Sequence, residues 1–138
     1  MANIPETLPG AEELIAWFGE WPSFHDAEII SLELNRQKSS RLRIHTWRTN
    51  SEVDARGFLK TDKHCLVSFI MEEISDLELV QFSSQNVINS LDIEKQRDSY
   101  RFKLSPSYGL AGYIEARSIR LEFEPGIPPE SKNRFKTR

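Results

Sequence analysis

Residues 21–34, WPSFHDAEIISLEL, mark the point where the hydrophobic period of the chain changes from helical to extended. In the preceding PGAEELIAWFG, the apolar residues recur at helical spacing: Ala11, Leu14, Ile15 and Phe18. Gly19 is placed to end this helix. From Glu28 onward, apolar and polar residues alternate, with Ile30, Leu32 and Leu34 expected on one face and Ile29 on the other, which is typical of a strand. The change of period therefore predicts one N-terminal helix followed by a sheet.

Short alternating runs, separated by polar, Gly or Pro turns, fill most of the remaining chain. The runs are EIISLEL, RLRIHTW, HCLVSFIM, DLELVQF, NVINSLDI, SYRFKL and YIEARSIRLEFEP. HCLVSFIM, residues 64–71, carries apolar residues on both faces and is the best candidate for a central strand. We expect an α+β fold with a mostly antiparallel sheet of about eight short strands and the helix packed against it.

The length and composition of the chain indicate its organisation. The 138 residues suit a single domain, 1–138, with a core at about 10–125 and a basic, mobile tail at 126–138. The one cysteine, Cys65, lies on an apolar strand, which favours a buried, unreactive thiol and a reducing compartment. The sequence has neither a recognisable secretion signal nor an apolar run long enough for a membrane span. We therefore expect a cytoplasmic protein without a membrane partner.

Charge is distributed unevenly along the chain, whose formal net charge is −3. Residues 1–35 contain seven of the 21 acidic residues and none of the 18 Lys and Arg. An acidic surface disfavours nucleic acid and favours a basic protein partner. The alternative is an ordinary solvated helix face.

His25 and Asp26 are the residues most suggestive of catalysis. In a strand these neighbours would point to opposite faces, whereas Asp26 and Glu28 would share one. A metal-dependent hydrolase centred on His25, Asp26 and Glu28 is the less favoured hypothesis, because no other segment supplies a metal-binding motif. The favoured interpretation is structural: Trp21 and Phe24 anchor the connection, and Asp26 accepts backbone N–H bonds at the turn. We predict no catalytic, metal or cofactor-binding residues.

A basic and aromatic row lies on one face of the second predicted strand: Arg41, Arg43, His45 and Trp47. Such a row is compatible with nucleic-acid binding, although the acidic first segment makes this partner unlikely on physical grounds. Of the three tryptophans, Trp47 is expected to be the most exposed.

Three stretches carry a family resemblance: WPSFHDAEIISLEL, DLELVQFSSQNVINSLDI and YGLAGYIEARSIRLEFEP. Over roughly residues 10–125 the chain resembles the immunity protein 50 family of bacterial polymorphic toxin systems. The sharpest elements are FHDAEI, residues 24–29, and QNVI, residues 85–88.

The resemblance implies a non-enzymatic cytoplasmic protein that neutralises a toxin domain by binding it, without a cofactor. With the acidic segment, it predicts a basic toxin partner such as a nuclease. The residues expected at the partner surface are Glu12, Glu13, Glu20, Asp26, Glu28 and Trp47. A structural or interaction domain of another kind is the alternative.

Overall fold

A computed structural model describes residues 7–131 of the chain. One helix, α1, precedes six strands, β1 to β6. Their bounds are Ala11–Phe18 for α1, then Glu28–Glu33, Ser40–Val53, Leu59–Val80, Val87–Lys95, Tyr100–Tyr108 and Ala111–Pro125 for the strands. All pairings are antiparallel, and the sheet closes into a barrel in the order β1-β2-β3-β6-β5-β4. The predicted α+β, mostly antiparallel fold is confirmed, and the closure of the sheet is an addition to it.

The strand count is lower than predicted, because HCLVSFIM and DLELVQF belong to one strand. β3 runs unbroken from Leu59 to Val80, and its polar middle passes a bulge between Ile74 and Asp76 beside β6. A bulge absorbs one residue and bends the strand without ending the pairing. The polar residues that suggested a turn are therefore an exposed stretch of strand.

The core consists of inward-facing residues of the strands together with the buried face of α1 and Phe24. On β3 these are Cys65, Val67, Phe69 and Met71, all buried as the alternation predicted. Phe69 lies centrally, with ring centroids 5.9 Å from Phe24 and 5.0 Å from Phe102. Leu66 and Ile70, on the outer face, are buried as well, so both faces of this strand are covered. Each large side chain buried in this way contributes about 1.5–3 kcal/mol.

The alternation predicted for β1 is wrong in phase. A bulge between Ile29 and Ser31 interrupts its pairing with β2. Ile29 and Leu32 consequently face the core, whereas Leu34 is 47% exposed. One extra residue in a strand moves every later side chain to the opposite face.

Helix α1 packs beside the end of β6. Its buried residues are Ala11, Leu14 and Phe18, and the rings of Trp17 and Phe123 are 5.5 Å apart. The Leu121 N–H donates to the Pro9 carbonyl at 2.9 Å, which fixes the start of the helix against the strand. The helix ends at Gly19, which has a left-handed conformation, as predicted. In the part of the chain from 7 to 131, this eight-residue helix is too short to cross a membrane.

Residues 126–131 fold back onto the outer face of the barrel, and we call them the strap. The Gly126 N–H donates to the His64 carbonyl at 2.7 Å, and Pro128 and Ser131 are buried. Glu130 lies 3.5 Å from Arg43 of β2. The strap is the first part of the segment predicted as a mobile tail, and it packs against the barrel. The rest of that segment, 132–138, lies outside the described residues.

Candidate functional site

The two sharpest motifs of the sequence, FHDAEI and QNVI, meet where the barrel closes between β1 and β4. Three backbone hydrogen bonds join them: Asp26 N–H to Ile88 O at 2.8 Å, Ile88 N–H to Ala27 O at 2.9 Å, and Ile29 N–H to Asn86 O at 2.9 Å. The register pairs Glu28 with Val87 at the same place. These motifs therefore form the seam that closes the sheet.

Asn86 connects the seam to the third motif, YGLAG. Its side chain is 3% exposed, and Oδ1 accepts the N–H groups of Ser83 at 3.0 Å and Leu110 at 2.9 Å. Its Nδ2 donates to the Ser83 carbonyl at 2.8 Å. Gly109 has φ +90, and a Cβ there would lie 2.4 Å from Asn86 Oδ1. Asn86 was not predicted as a functional residue, although it lies within QNVI; its signal in the sequence is a polar residue directly before an apolar strand.

Two residues of the connection hold strained backbone. Phe24 and Asp26 have φ of 62° and 67°, a region that costs a residue other than glycine roughly 1–3 kcal/mol. Phe24 is buried and contacts Trp21 with ring centroids 5.6 Å apart. The packing of these aromatic rings and the three seam bonds offset that cost. The structure thus places Trp21 and Phe24 in a packed structural connection.

His25 and Asp26 lie in a turn rather than in a strand, since β1 begins only at Glu28. Their side chains are exposed, with His25 Nε2 and Asp26 Oδ1 3.6 Å apart. His25 Nδ1 lies 3.2 Å from the Asn89 carbonyl. The seam bond of Asp26 uses its N–H as a donor, where an acceptor role for its carboxylate was expected.

Glu28 is buried and directed toward His45, away from the exposed pair His25 and Asp26. The structure therefore does not gather the three residues of the hydrolase hypothesis into one site. Between residues 7 and 131, no three His, Cys, Asp or Glu side chains are grouped as a metal site requires. Glu28 also has no place on an exposed partner surface, because its carboxylate is enclosed.

A polar network, buried at His45 and exposed at Thr61, runs across the outer face of β1, β2 and β3. His45 Nδ1 lies 3.0 Å from Glu28 Oε1, and His45 Nε2 lies 3.0 Å from His64 Nδ1. His64 Nε2 is 2.9 Å from Thr61 Oγ1, and Ser131 Oγ of the strap is 3.1 Å from His45 Nδ1. Burial lowers the pKa of His64, the nearby His45 lowers it further, and Asp62 partly opposes both. The network ties the strap to the barrel.

Ser131, His45 and Glu28 contain the residue types of a hydrolytic triad, but their geometry is different. The serine and the carboxylate both approach Nδ1 of His45. In a triad they occupy opposite nitrogens, so that the imidazole can pass the serine proton while the acid orients it. The arrangement therefore fits a structural network and not a nucleophile.

The basic and aromatic row of β2 is largely engaged within the molecule. His45 is fully buried, while Arg41 lies 3.8 Å from Glu122 and Arg43 lies 3.5 Å from Glu130. Trp47 is half-buried, with its ring 5.6 Å from that of His64 and nearly parallel to it. Nucleic-acid binding would need this row to be open to solvent, and the strap covers part of it.

Several acidic side chains on the strands form ion pairs, whereas those of α1 and Glu20 just after it form none with the rest of residues 7–131. Among the paired acids are Glu72, Glu73, Glu94, Glu115 and Glu122. Within residues 7–131, no ion pair at 4 Å or less involves Glu12, Glu13 or Glu20, which are all exposed and which we call the acidic cap. The pKa of Arg48 is raised chiefly by the hydrogen bonds that it donates to Asp62, and nearby Glu20 raises it further.

Residues 7–131 form a small antiparallel barrel with one helix, an acidic cap and a strap over part of the outer face. The sequence model of the immunity protein 50 family matches residues 10–124. The chain belongs to the immunity protein 50 family, as the resemblance predicted. No curated protein sequence and no solved structure matches it.

Proposed function

We propose that this chain is a non-enzymatic immunity protein of the bacterial cytoplasm that neutralises a toxin domain by binding to it. Membership of the immunity protein 50 family supports the immunity role. The acidic cap is the observation from which we infer the binding surface and the basic character of the partner. Glu12 and Glu13 form no ion pair at 4 Å or less within residues 7–131 and keep their long-range field, whereas the acids that pair with cations on the strands largely lose theirs.

The partner that suits such a surface is a basic toxin domain, such as a nuclease whose cleft receives phosphate groups. A potential complementary to that cleft accelerates encounter and excludes acidic competitors. Glu12 and Glu13 lie in the first turn of α1, where negative charge suits the helix dipole. Exposed Asp26 is included in the proposed surface, whereas buried Glu28 and the stacked ring of Trp47 have structural roles.

Capture from a lysate of the source organism tests the proposal. The tagged full chain, its Glu12→Lys/Glu13→Lys variant and a matched Asp98→Lys control are compared at low and high salt, and captured proteins are identified by mass spectrometry. Asp98 is exposed in the turn between β4 and β5 and is not one of the three residues of the acidic cap.

We expect one basic protein to be enriched by the wild type and by the Asp98→Lys control, and lost with the double variant or at high salt. Capture of a basic partner that is equally strong with the double variant would contradict the assignment of the surface. Capture of a toxin that does not depend on salt would support the immunity role but would show that apolar contacts, and not the acidic cap, drive binding.

A further inference from the structure

Strand β3 has an open edge along its C-terminal half. β2 pairs with β3 only as far as Met71, opposite Ser40, whereas β6 stays paired to Val80. In the described part of the chain, no strand lies beside Glu72–Val80 on the side away from β6. The backbone N–H and C=O groups of such an edge are a template for a further strand.

The side chains of this edge are acidic and apolar. Glu72–Val80 contains four acids and no Lys or Arg: Glu72, Glu73, Asp76 and Glu78. Glu72 lies 3.2 Å from Arg120 and Glu73 lies 4.0 Å from Arg117, so the charges of these two acids are partly balanced. Asp76 accepts a hydrogen bond from the Tyr113 hydroxyl at 3.0 Å, and within residues 7–131 neither Asp76 nor Glu78 forms an ion pair at 4 Å or less, so these two acids contribute most of the negative charge of the edge. Leu77 and Val80 are 37% and 49% exposed. The edge thus offers backbone hydrogen bonds, negative charge and apolar contacts over the same nine residues.

Charge selects among the strands that could occupy this edge. A second copy of the chain would bring its own four acids against these four, and like charges on adjacent strands are destabilising. Charged residues and bulges on edge strands also prevent unspecific pairing, and β3 has both. A strand that carries cations meets attraction where a copy of β3 meets repulsion.

We propose that Glu72–Val80 is a strand-addition site for an extended, basic segment of a protein partner, in which Lys or Arg alternates with apolar residues. Hydrogen bonds to the backbone of the edge would provide affinity, and the acidic side chains would select a basic partner. This edge pairs with residues 111–118 of β6, whereas α1 lies beside Leu121 and Phe123. The inference therefore goes beyond the proposed function and does not depend on the acidic cap.

The test is an NMR titration of the full chain with a synthetic peptide in which Lys and Val alternate. We expect saturable shifts and slower amide exchange confined to residues 72–80. A peptide with Glu in place of Lys should not bind, and neither should the basic peptide with N-methyl groups on its pairing amides. The Asp76→Lys/Glu78→Lys variant should bind the basic peptide at least about tenfold more weakly, while Asp98→Lys binds it as the wild type does.

Absence of saturable binding by the basic peptide would overturn the proposal. Equal binding of the N-methylated peptide would also overturn it, because the contact would then be charge alone. Slower exchange at 72–80 that grows with the concentration of the chain itself would show that a second copy occupies the edge. These outcomes are read without any toxin, so they are distinguishable from failure of the lysate capture.

Discussion

Asn86 holds three segments together with one amide group. Replacing it with Ala leaves the buried N–H of Leu110 and the N–H and carbonyl of Ser83 without their side-chain partner. An unsatisfied buried polar group costs about 1–3 kcal/mol, so Asn86→Ala should lower the free energy of unfolding by roughly 2–3 kcal/mol. Denaturant unfolding measures this, with the exposed neighbour Gln85 as the control: Gln85→Ala should stay within about 0.5 kcal/mol of the wild type. Equal stability of the two variants would show that the side chain of Asn86 does not stabilise the seam.

His64 predicts a dependence of stability on pH. Its pKa is lowered from the ordinary 6.5, chiefly by burial. The unfolded chain therefore takes up a proton at a higher pH than the folded chain, and the free energy of unfolding falls as pH drops below about 6.5. We expect His64→Asn to flatten this acid-side slope in urea unfolding at several pH values. The control is His25→Asn, at an exposed histidine. If His64→Asn leaves the slope unchanged, groups other than His64 cause the pH dependence.

The burial of a single residue was predictable where it follows from the pattern of its own strand. Cys65 was expected to be buried and unreactive, and burial raises the pKa of its thiol to about 12. His45 could not be predicted as fully buried, because the strap that covers it comes from residues 126–131, distant in sequence. The burial of Glu28 follows from the same long-range contacts.

At the scale of elements, the seating of α1 depends on the close approach of Gly10 to β6. A Cβ at Gly10 would lie 2.0 Å from the Leu121 carbonyl oxygen, whereas Gly57, with a similar positive φ, has open space around it. Gly57→Ala should cost about 1 kcal/mol from backbone strain alone. Gly10→Ala should cost a further 1–3 kcal/mol or so, because the helix must move away from the strand. Equal losses of thermal stability would show that α1 is not held at this contact.

Elements with a strong local period were predicted well, and those that depend on pairing were not. The helix and the inward faces of β3, β4, β5 and β6 follow from spacing alone. The continuity of β3 and the phase of β1 depend on bulges, which are set by the neighbouring strands. Closure between β1 and β4 depends on the seam bonds of Asp26, Ile29 and Ile88, which no local pattern encodes.

At the scale of the whole molecule, the acidic cap predicts how fast the partner is bound. Glu12→Lys/Glu13→Lys should slow association with the captured basic protein by about tenfold or more at low salt, since steering by complementary charge raises association rates by 10- to 1,000-fold. The difference from the wild type should shrink as salt screens the charges. Stopped-flow kinetics measures both, with Asp98→Lys as the control. A double variant that associates as fast as this control would place the interface elsewhere.

Neutralisation itself is tested most directly by titrating the purified chain against the captured partner while the toxic activity of that partner is measured. We expect the activity to fall in proportion to the chain added and to reach zero near one chain per partner. The Glu12→Lys/Glu13→Lys variant should require more chain or longer incubation, and Asp98→Lys should match the wild type. A partner that binds the chain and keeps its full activity would contradict the immunity function.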